Sequence, residues 1–358
     1  MSRLSFALWC SSSFLFALFL FLLGPKDSLS NYRGIEIFSG DSFTKTAANL
    51  YKDGIVRSSK AFALYGLISG SAHKIRPGNY ILNSGSSTPA IMNVLISAGL
   101  LKTAEIVIPE GFTIKDIENT LYEKGILPRG AISNFNFKEV ALSYPFFPPK
   151  EDFRLRPATD GQAPSAEKNT SSLEGFMLPD TYIFFKNSPT ATVIKKFLDN
   201  FETKAWPLLK DCEISPNLCN GYSYKKILVI ASMLEKEAPD YKDRRLIAGI
   251  FENRLNEEFP LQIDSTIVYA KCGGAFATCD KTVLTLADLK IDSLYNSYIY
   301  RGLPPGPIGN PGLEAIKAAK IPIQSEYFYY LSDPKTKKTI FSKDLDEHND
   351  NRARYLTK

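Results

Sequence analysis

The sequence predicts an α+β chain in three stretches: an apolar amino-terminal helix, a small strand-helix module, and a larger mixed part with a helical core. Three observations carry this. Leu4 to Pro25 contains no charge, a strand-helix pattern recurs at a constant offset of 71, and the second half of the chain shows helical apolar periodicity. At 358 residues the chain is long enough for about two domains of ordinary size. Its 44% hydrophobic and 23% charged residues are globular values, which excludes a chain disordered throughout. A net charge of +5, the difference between 43 basic and 38 acidic residues, is too weak to indicate nucleic acid. Two histidines, His73 and His348, and the lack of a CxxC pair argue against a zinc site of the usual type.

The first element is the run Leu4 to Leu23, apolar apart from Ser5 and Ser11 to Ser13. At about 1.5 Å per residue a helix of this length spans a ~30 Å hydrocarbon layer. Residues 1–25 are therefore expected to be an uncleaved anchor; the alternative is a cleaved signal peptide, for which Leu22-Leu23-Gly24-Pro25 is a poor cleavage pattern. Arg3 before the run favours an inside amino terminus, with the bulk of the chain periplasmic. Cysteine usage fits an oxidising compartment. Cys212 with Cys219, and Cys272 with Cys279, form two equally spaced local pairs, either two small disulfide loops or four separate thiols.

Next comes the repeat. Residues 35–57 overlie 106–128, matching Gly40 to Gly111, Leu50-Tyr51 to Leu121-Tyr122 and Gly54-Ile55 to Gly125-Ile126. Each copy reads as a strand (Ile35 to Phe38; Ile106 to Ile108), a glycine turn and an amphipathic helix closed by glycine. Between the copies, Ala61 to Ser69 and Pro89 to Ser97 read as helices and Tyr80 to Leu82 as a strand. The strand-helix-helix-strand order is that of small glycan-binding folds and equally of a structural spacer. Residues 155–172 lose periodicity and read as a mobile loop or linker.

Beyond that loop, Ala191 to Phe201, Lys225 to Glu237 and Arg244 to Leu255 read as helices, the second ended by Pro239. Tyr327 to Leu331 and Thr339 to Phe341 read as a hairpin. In the second helix Ile230, Met233 or Leu234, and Glu237 share a stripe, so Glu237 continues a buried seam while Glu235 leans to another side. A carboxyl group against apolar neighbours is disfavoured as a charge and suited to act as an acid at neutral pH. The bland reading is a solvated Glu-Lys-Glu helix end. Other polar clusters stand out along the chain: Glu174 to Tyr182, Tyr295 to Tyr298, and the Gly/Pro-stiffened Gly302 to Ile308, while Leu261 to Thr266 alternates like a strand. Amides, hydroxyls and flat rings on stiff loops suit a sugar chain, although turn and cap chemistry explains each cluster singly.

Taken in order, Ile108 to Phe112, Glu174-Gly175 to Tyr182, Ala231-Ser232 to Glu237, Asn253-Arg254-Leu255, Leu261 to Asp264, Tyr295 to Tyr298, Gly302 to Gly306 and Asn310-Pro311-Gly312 resemble the endolytic murein transglycosylase (YceG-like) family, from about residue 33 to about 350. The resemblance implies a single-pass inner-membrane protein with a LysM-like module (33–104) before a catalytic domain (105–358). It implies non-hydrolytic cleavage between N-acetylmuramic acid and N-acetylglucosamine of peptidoglycan strands, leaving 1,6-anhydro ends, without cofactor or metal. Synthases of the cell wall are the implied partners. The family's catalytic glutamate falls on Glu237; Glu174, Asp180, Gln262, Asp264, Tyr295 and Asn296 are expected around the glycan. Ser265 stands where the family pattern has proline, and the Cys272 to Cys279 segment is an elaboration beside the site. The competing expectation is a non-catalytic peptidoglycan-binding scaffold.

Overall fold

The computed structural model describes residues 3–27, 32–38, 40–97, 103–136, 140, 143–147, 173–279 and 283–356, with side chains from residue 13 onward. The chain is mixed α+β, mostly helical, with three two-stranded sheets among the described residues. It divides into two compact units, one of 1–105 with 183–192 and the other of 106–182 with 193–358. The expected loop at 155–172 lies outside the described residues.

In the first unit, helix α1 (Arg3–Leu22) is followed by β1 (Tyr32–Ile37), α2 (Phe43–Lys52), α3 (Ser59–Ile68), β2 (Gly78–Asn83) and α4 (Thr88–Ser97). Half of the expected anchor, residues 1–12, has side chains outside the described ones; among the described residues no helix is long and apolar enough to cross a membrane. The end of α1 is tied into the module: Leu23 is buried, Thr88 N donates to Leu23 O at 2.8 Å, and Lys26 N to Ser84 O at 3.0 Å. β1 and β2 pair antiparallel, with Ile35 opposite Tyr80 and Ile37 opposite Gly78. Their alternate side chains, Ile35, Ile37, Tyr80 and Leu82, face Leu50, Phe62, Ile91 and Leu95 in one core.

The repeat holds element by element. β3 (Thr103–Ile108) and α5 (Ile114–Glu123) occupy the positions of β1 and α2 shifted by 71. Ser42 caps α2 by accepting from Lys45 N, and Thr113 caps α5 by accepting from Asp116 N. Each helix ends at a left-handed glycine, Gly54 (φ 74°) or Gly125 (φ 69°). Ile55 N then returns to Leu50 O at 2.8 Å, and Ile126 N to Leu121 O at 2.9 Å. β3 is hydrogen-bonded to β4 (Asp180–Phe185).

The chain continues with α6 (Thr190–Lys204), α7 (Trp206–Ile214), α8 (Tyr224–Glu237), α9 (Tyr241–Asn256), α10 (Asp264–Lys271), α11 (Leu313–Lys320), β5 (Tyr329–Ser332), β6 (Thr339–Ser342) and α12 (Leu345–Tyr355), all in the second unit from Val193 onward. α8 is the hub, buried at every position from Ile227 to Leu234 and packed on α7, α9, α10 and α11. The rings of Phe146, Phe176, Phe201 and Trp206 close one end of this core. Both cysteine pairs are disulfides, Cys212–Cys219 and Cys272–Cys279. The strand expected at Leu261 to Thr266 is not one. Residues 259–263 are irregular and Asp264 opens α10, because Gln262 takes a left-handed φ of 53° that no strand tolerates.

Candidate active site

Pro239 dictates where α8 stops. The residue before a proline is pushed to extended backbone, and Ala238 is extended (φ −148°, ψ 141°), so Glu237 is the last helical residue. A carboxylate there meets the negative end of the helix dipole as well as burial. Burial is the main cause that raises its pKa above the ordinary carboxylate value, aided by the nearby charge of Asp264 and opposed by two hydroxyl donors. Those donors are Tyr330 OH, 2.8 Å from Oε2, and Ser265 Oγ, 2.9 Å from Oε1. Glu237 is thus a carboxyl group with a raised proton affinity whose two oxygens are both held.

Arg254, on α9 and buried, organises the elements that bring these donors. Its Nε donates to Phe328 O and its Nη1 to Leu261 O, both at 2.7 Å, while its guanidinium lies 5.1 Å from the centre of the Tyr329 ring. One side chain therefore ties the loop before α10 to the start of β5. Asn253 adds bonds to Ser325 O and Tyr327 O at 2.9 Å each. The amino end of α10 is fixed by Ser297, whose Oγ accepts from Ile263 N at 2.8 Å and whose carbonyl accepts from Gln262 N at 3.0 Å.

The other side of the same helix end is a second polar network. Glu235 forms a buried ion pair with Arg244 (2.6 Å) and accepts from Gly312 N at 2.8 Å. Glu174 accepts from Ile114 N (3.1 Å), Asn310 Nδ2 (3.0 Å) and Tyr269 OH (3.4 Å). Burial pushes the Glu174 pKa up to about 8 against the downward pull of the Ile114 N–H and Tyr269. Asn310 Oδ1 accepts from Gly175 N and Met177 N at 2.9 Å each. Gly309 is required beside it: a Cβ there would lie 2.7 Å from Gly111 O. The carboxylates of Glu235 and Glu237, two residues apart, thus have different partners, an arginine for one and hydroxyls for the other.

Of the residues expected around a glycan, Asp264 is exposed beside Glu237 and accepts from Tyr298 OH at 2.6 Å, and Gln262 is exposed on the preceding loop. Tyr295 is half-buried, its ring 4.8 Å from that of Tyr269. Glu174 and Asn296 are buried and spend their polar atoms inside the protein; Asn296 Nδ2 donates to Leu289 O and Ile291 O. Asp180 opens β4 and binds Asn200 and Lys204 of α6. Sequence reasoning missed Tyr330 as a partner of Glu237, which no local pattern marks, and singled out Arg254 only within Asn253-Arg254-Leu255, without its partners Phe328 O and Leu261 O. Ser265 was visible as the departure from the family's proline. Among the described residues no group of three or more His, Cys, Asp or Glu is placed to hold a metal ion.

Three comparisons bear on this arrangement. A family profile described as the YceG-like family matches residues 35–354. Endolytic murein transglycosylase of Bacillus subtilis (strain 168) is 31% identical over 347 residues, covering 94% of this chain and 88% of that protein. Endolytic murein transglycosylase of Streptococcus pneumoniae serotype 2 is 27% identical over 348 residues, and the match spans 93% of this chain but only 60% of the streptococcal protein. A crystal structure of a YceG-like protein from Listeria monocytogenes superposes with a TM-score of 0.56 at 28% identity, covering 90% of this chain and all of that one.

Proposed function

The chain belongs to the YceG-like family, and from that premise we propose that it is a membrane-anchored endolytic lytic transglycosylase acting on peptidoglycan, with Glu237 as its catalytic acid and base. The observation that carries the reading is the Glu237 carboxyl: proton affinity raised by burial, with a hydroxyl on each oxygen. Protonated Glu237 donates to the glycosidic oxygen as the bond from muramic C1 breaks. The carboxylate so formed then accepts the proton of the muramic 6-hydroxyl as its oxygen bonds to C1. Ordinary glycosidases need a second carboxylate because water or the enzyme must supply the nucleophile. Here the sugar supplies it, so one glutamate is sufficient.

α1 is the single inner-membrane anchor, the rest is periplasmic, and the β1–α2–α3–β2 unit is a LysM-like glycan-binding module. The strand-helix-helix-strand order of that unit supports the last point. Cleavage of nascent strands would set their length beside the synthases. The test is mass analysis of fragments released from peptidoglycan by the full chain. Anhydro-ended products are expected; reducing ends mean a hydrolase, and no products mean a binding scaffold.

A further inference from the structure

We propose that Ser265 is a positioning residue for Glu237, its hydroxyl holding Oε1 while Tyr330 holds Oε2, so that the oxygen facing Ser265 is the one that carries the transferred proton. This rests on Glu237 being the acid. A protonated carboxyl group has one O–H, which needs an acceptor until substrate arrives. A serine hydroxyl rotates freely about its Cβ–Oγ bond and changes from donor to acceptor, whereas a phenol proton keeps to the plane of its ring. Oε1 at 2.9 Å from Ser265 Oγ is therefore the exchangeable position, and Oε2 at 2.8 Å from Tyr330 OH the fixed one.

The placement of Ser265 is itself constrained. It is the second residue of α10, between Asp264, which accepts from Tyr298 OH at 2.6 Å, and Thr266, whose Oγ1 lies 2.9 Å from Ser297 Oγ. The ionisable groups facing Glu237 are Asp264 on α10, Tyr298 on the loop behind it and Tyr330 on β5, with Arg254 of α9 behind Tyr330. None of these duplicates the Ser265 hydroxyl on Oε1, and a proline in its place would leave that oxygen without this donor.

The experiment is a carboxyl-carbon NMR titration of the full chain labelled at glutamate, with Glu237→Gln to assign the signal. Ser265→Ala should raise the Glu237 midpoint by about one pH unit, because a donor to the charged form is lost. Ser265→Thr should restore it. Ser265→Pro, tolerated in a first helical turn, should raise the midpoint in the same way and decides the matter where Ser265→Ala fails to fold. In anhydro-product release the alkaline limb should move up with the midpoint and kcat fall about tenfold with KM unchanged. A midpoint that stays at the wild-type value in Ser265→Ala, or in Ser265→Pro, overturns the proposal. The titration needs no turnover, so absence of anhydro products from the wild type would refute the transglycosylase reading and still leave the Ser265 contact decided by the midpoint.

Discussion

Tyr330 OH donates to Oε2 of Glu237 at 2.8 Å across 93 residues of sequence. This bond joins the β5–β6 hairpin to the end of the central helix. Burial raises the Tyr330 pKa well above its ordinary value, as does the facing carboxyl, so the phenol stays protonated as a permanent donor. Tyr330→Phe removes that donor without changing the ring. Release of anhydro products should fall about tenfold, with the alkaline limb of its pH profile displaced upward, because hydrogen bonds to charged groups are worth about 1.5–3 kcal/mol. A profile identical to wild type would remove Tyr330 from the site.

Replacing Glu237 by Gln should lower product release by at least about 100-fold, the lower end of what general acid-base catalysis supplies. The amide still accepts one hydroxyl bond and no longer demands burial of a charge. Thermal stability at neutral pH should therefore equal or exceed that of wild type, which calorimetry or circular dichroism of the full chain will measure. Full activity in this variant with loss in Glu235→Gln would move the catalytic role to Glu235.

Glu174 predicts a pH dependence of stability. Its folded pKa, about 8, lies above the ordinary 4.5, so the folded state binds the proton more tightly. Its contribution is fully present below about pH 4.5 and lost as pH rises through about 8, a change of a few kcal/mol at 1.36 kcal/mol per unit. Denaturation midpoints of wild type should decline over that window. In Glu174→Gln, which keeps an acceptor for Ile114 N and Asn310, the decline should be shallower; an unchanged slope would show that Glu174 does not titrate there.

The Arg244–Glu235 pair is buried on both sides, with side chains 6% and 4% exposed. Arg244→Met strands the carboxylate and should destabilise by about 3–5 kcal/mol in urea denaturation. Adding Glu235→Gln to that variant should recover a large part of the loss. Equal stabilities for wild type, the single and the double variant would mean that the pair contributes nothing.

The parts of the molecule legible in the sequence are those whose signal is local. The offset of 71 is visible because caps, glycines and apolar positions recur together, and the helix ending at Glu237 because Pro239 stops it. The cysteine pairs sit at matching short spacings. What escaped is what depends on distant partners. Tyr330 meets the site through the fold alone, and Arg254, although part of the Asn253-Arg254-Leu255 piece, shows its partners only there. Leu261 to Asp264 keeps the burial alternation of a strand, with Leu261 and Ile263 each 1% exposed, but Arg254 and Ser297 take its backbone hydrogen bonds in place of a ladder. Helix α12 buries no residue, so it has no apolar period to read. Asn296 and Glu174, chosen as polar loop residues, are polar because buried backbone needs partners.

The two copies of the duplicated corner do different work. In the second copy the turn at Gly111 exchanges backbone bonds with Asn310, Gly111 N to Asn310 O and Asn310 N to Phe112 O, both at 2.8 Å. In the first copy, apart from the neighbours of Gly40 in the chain, no heavy atom among the described residues lies within 4 Å of where a side chain would begin at Gly40. One copy is committed as a socket that cannot drift without unseating its plug. Its twin, carrying the same caps and turns, holds no such plug, so a side chain placed at Gly40 would meet only the cost of its left-handed φ of 89°.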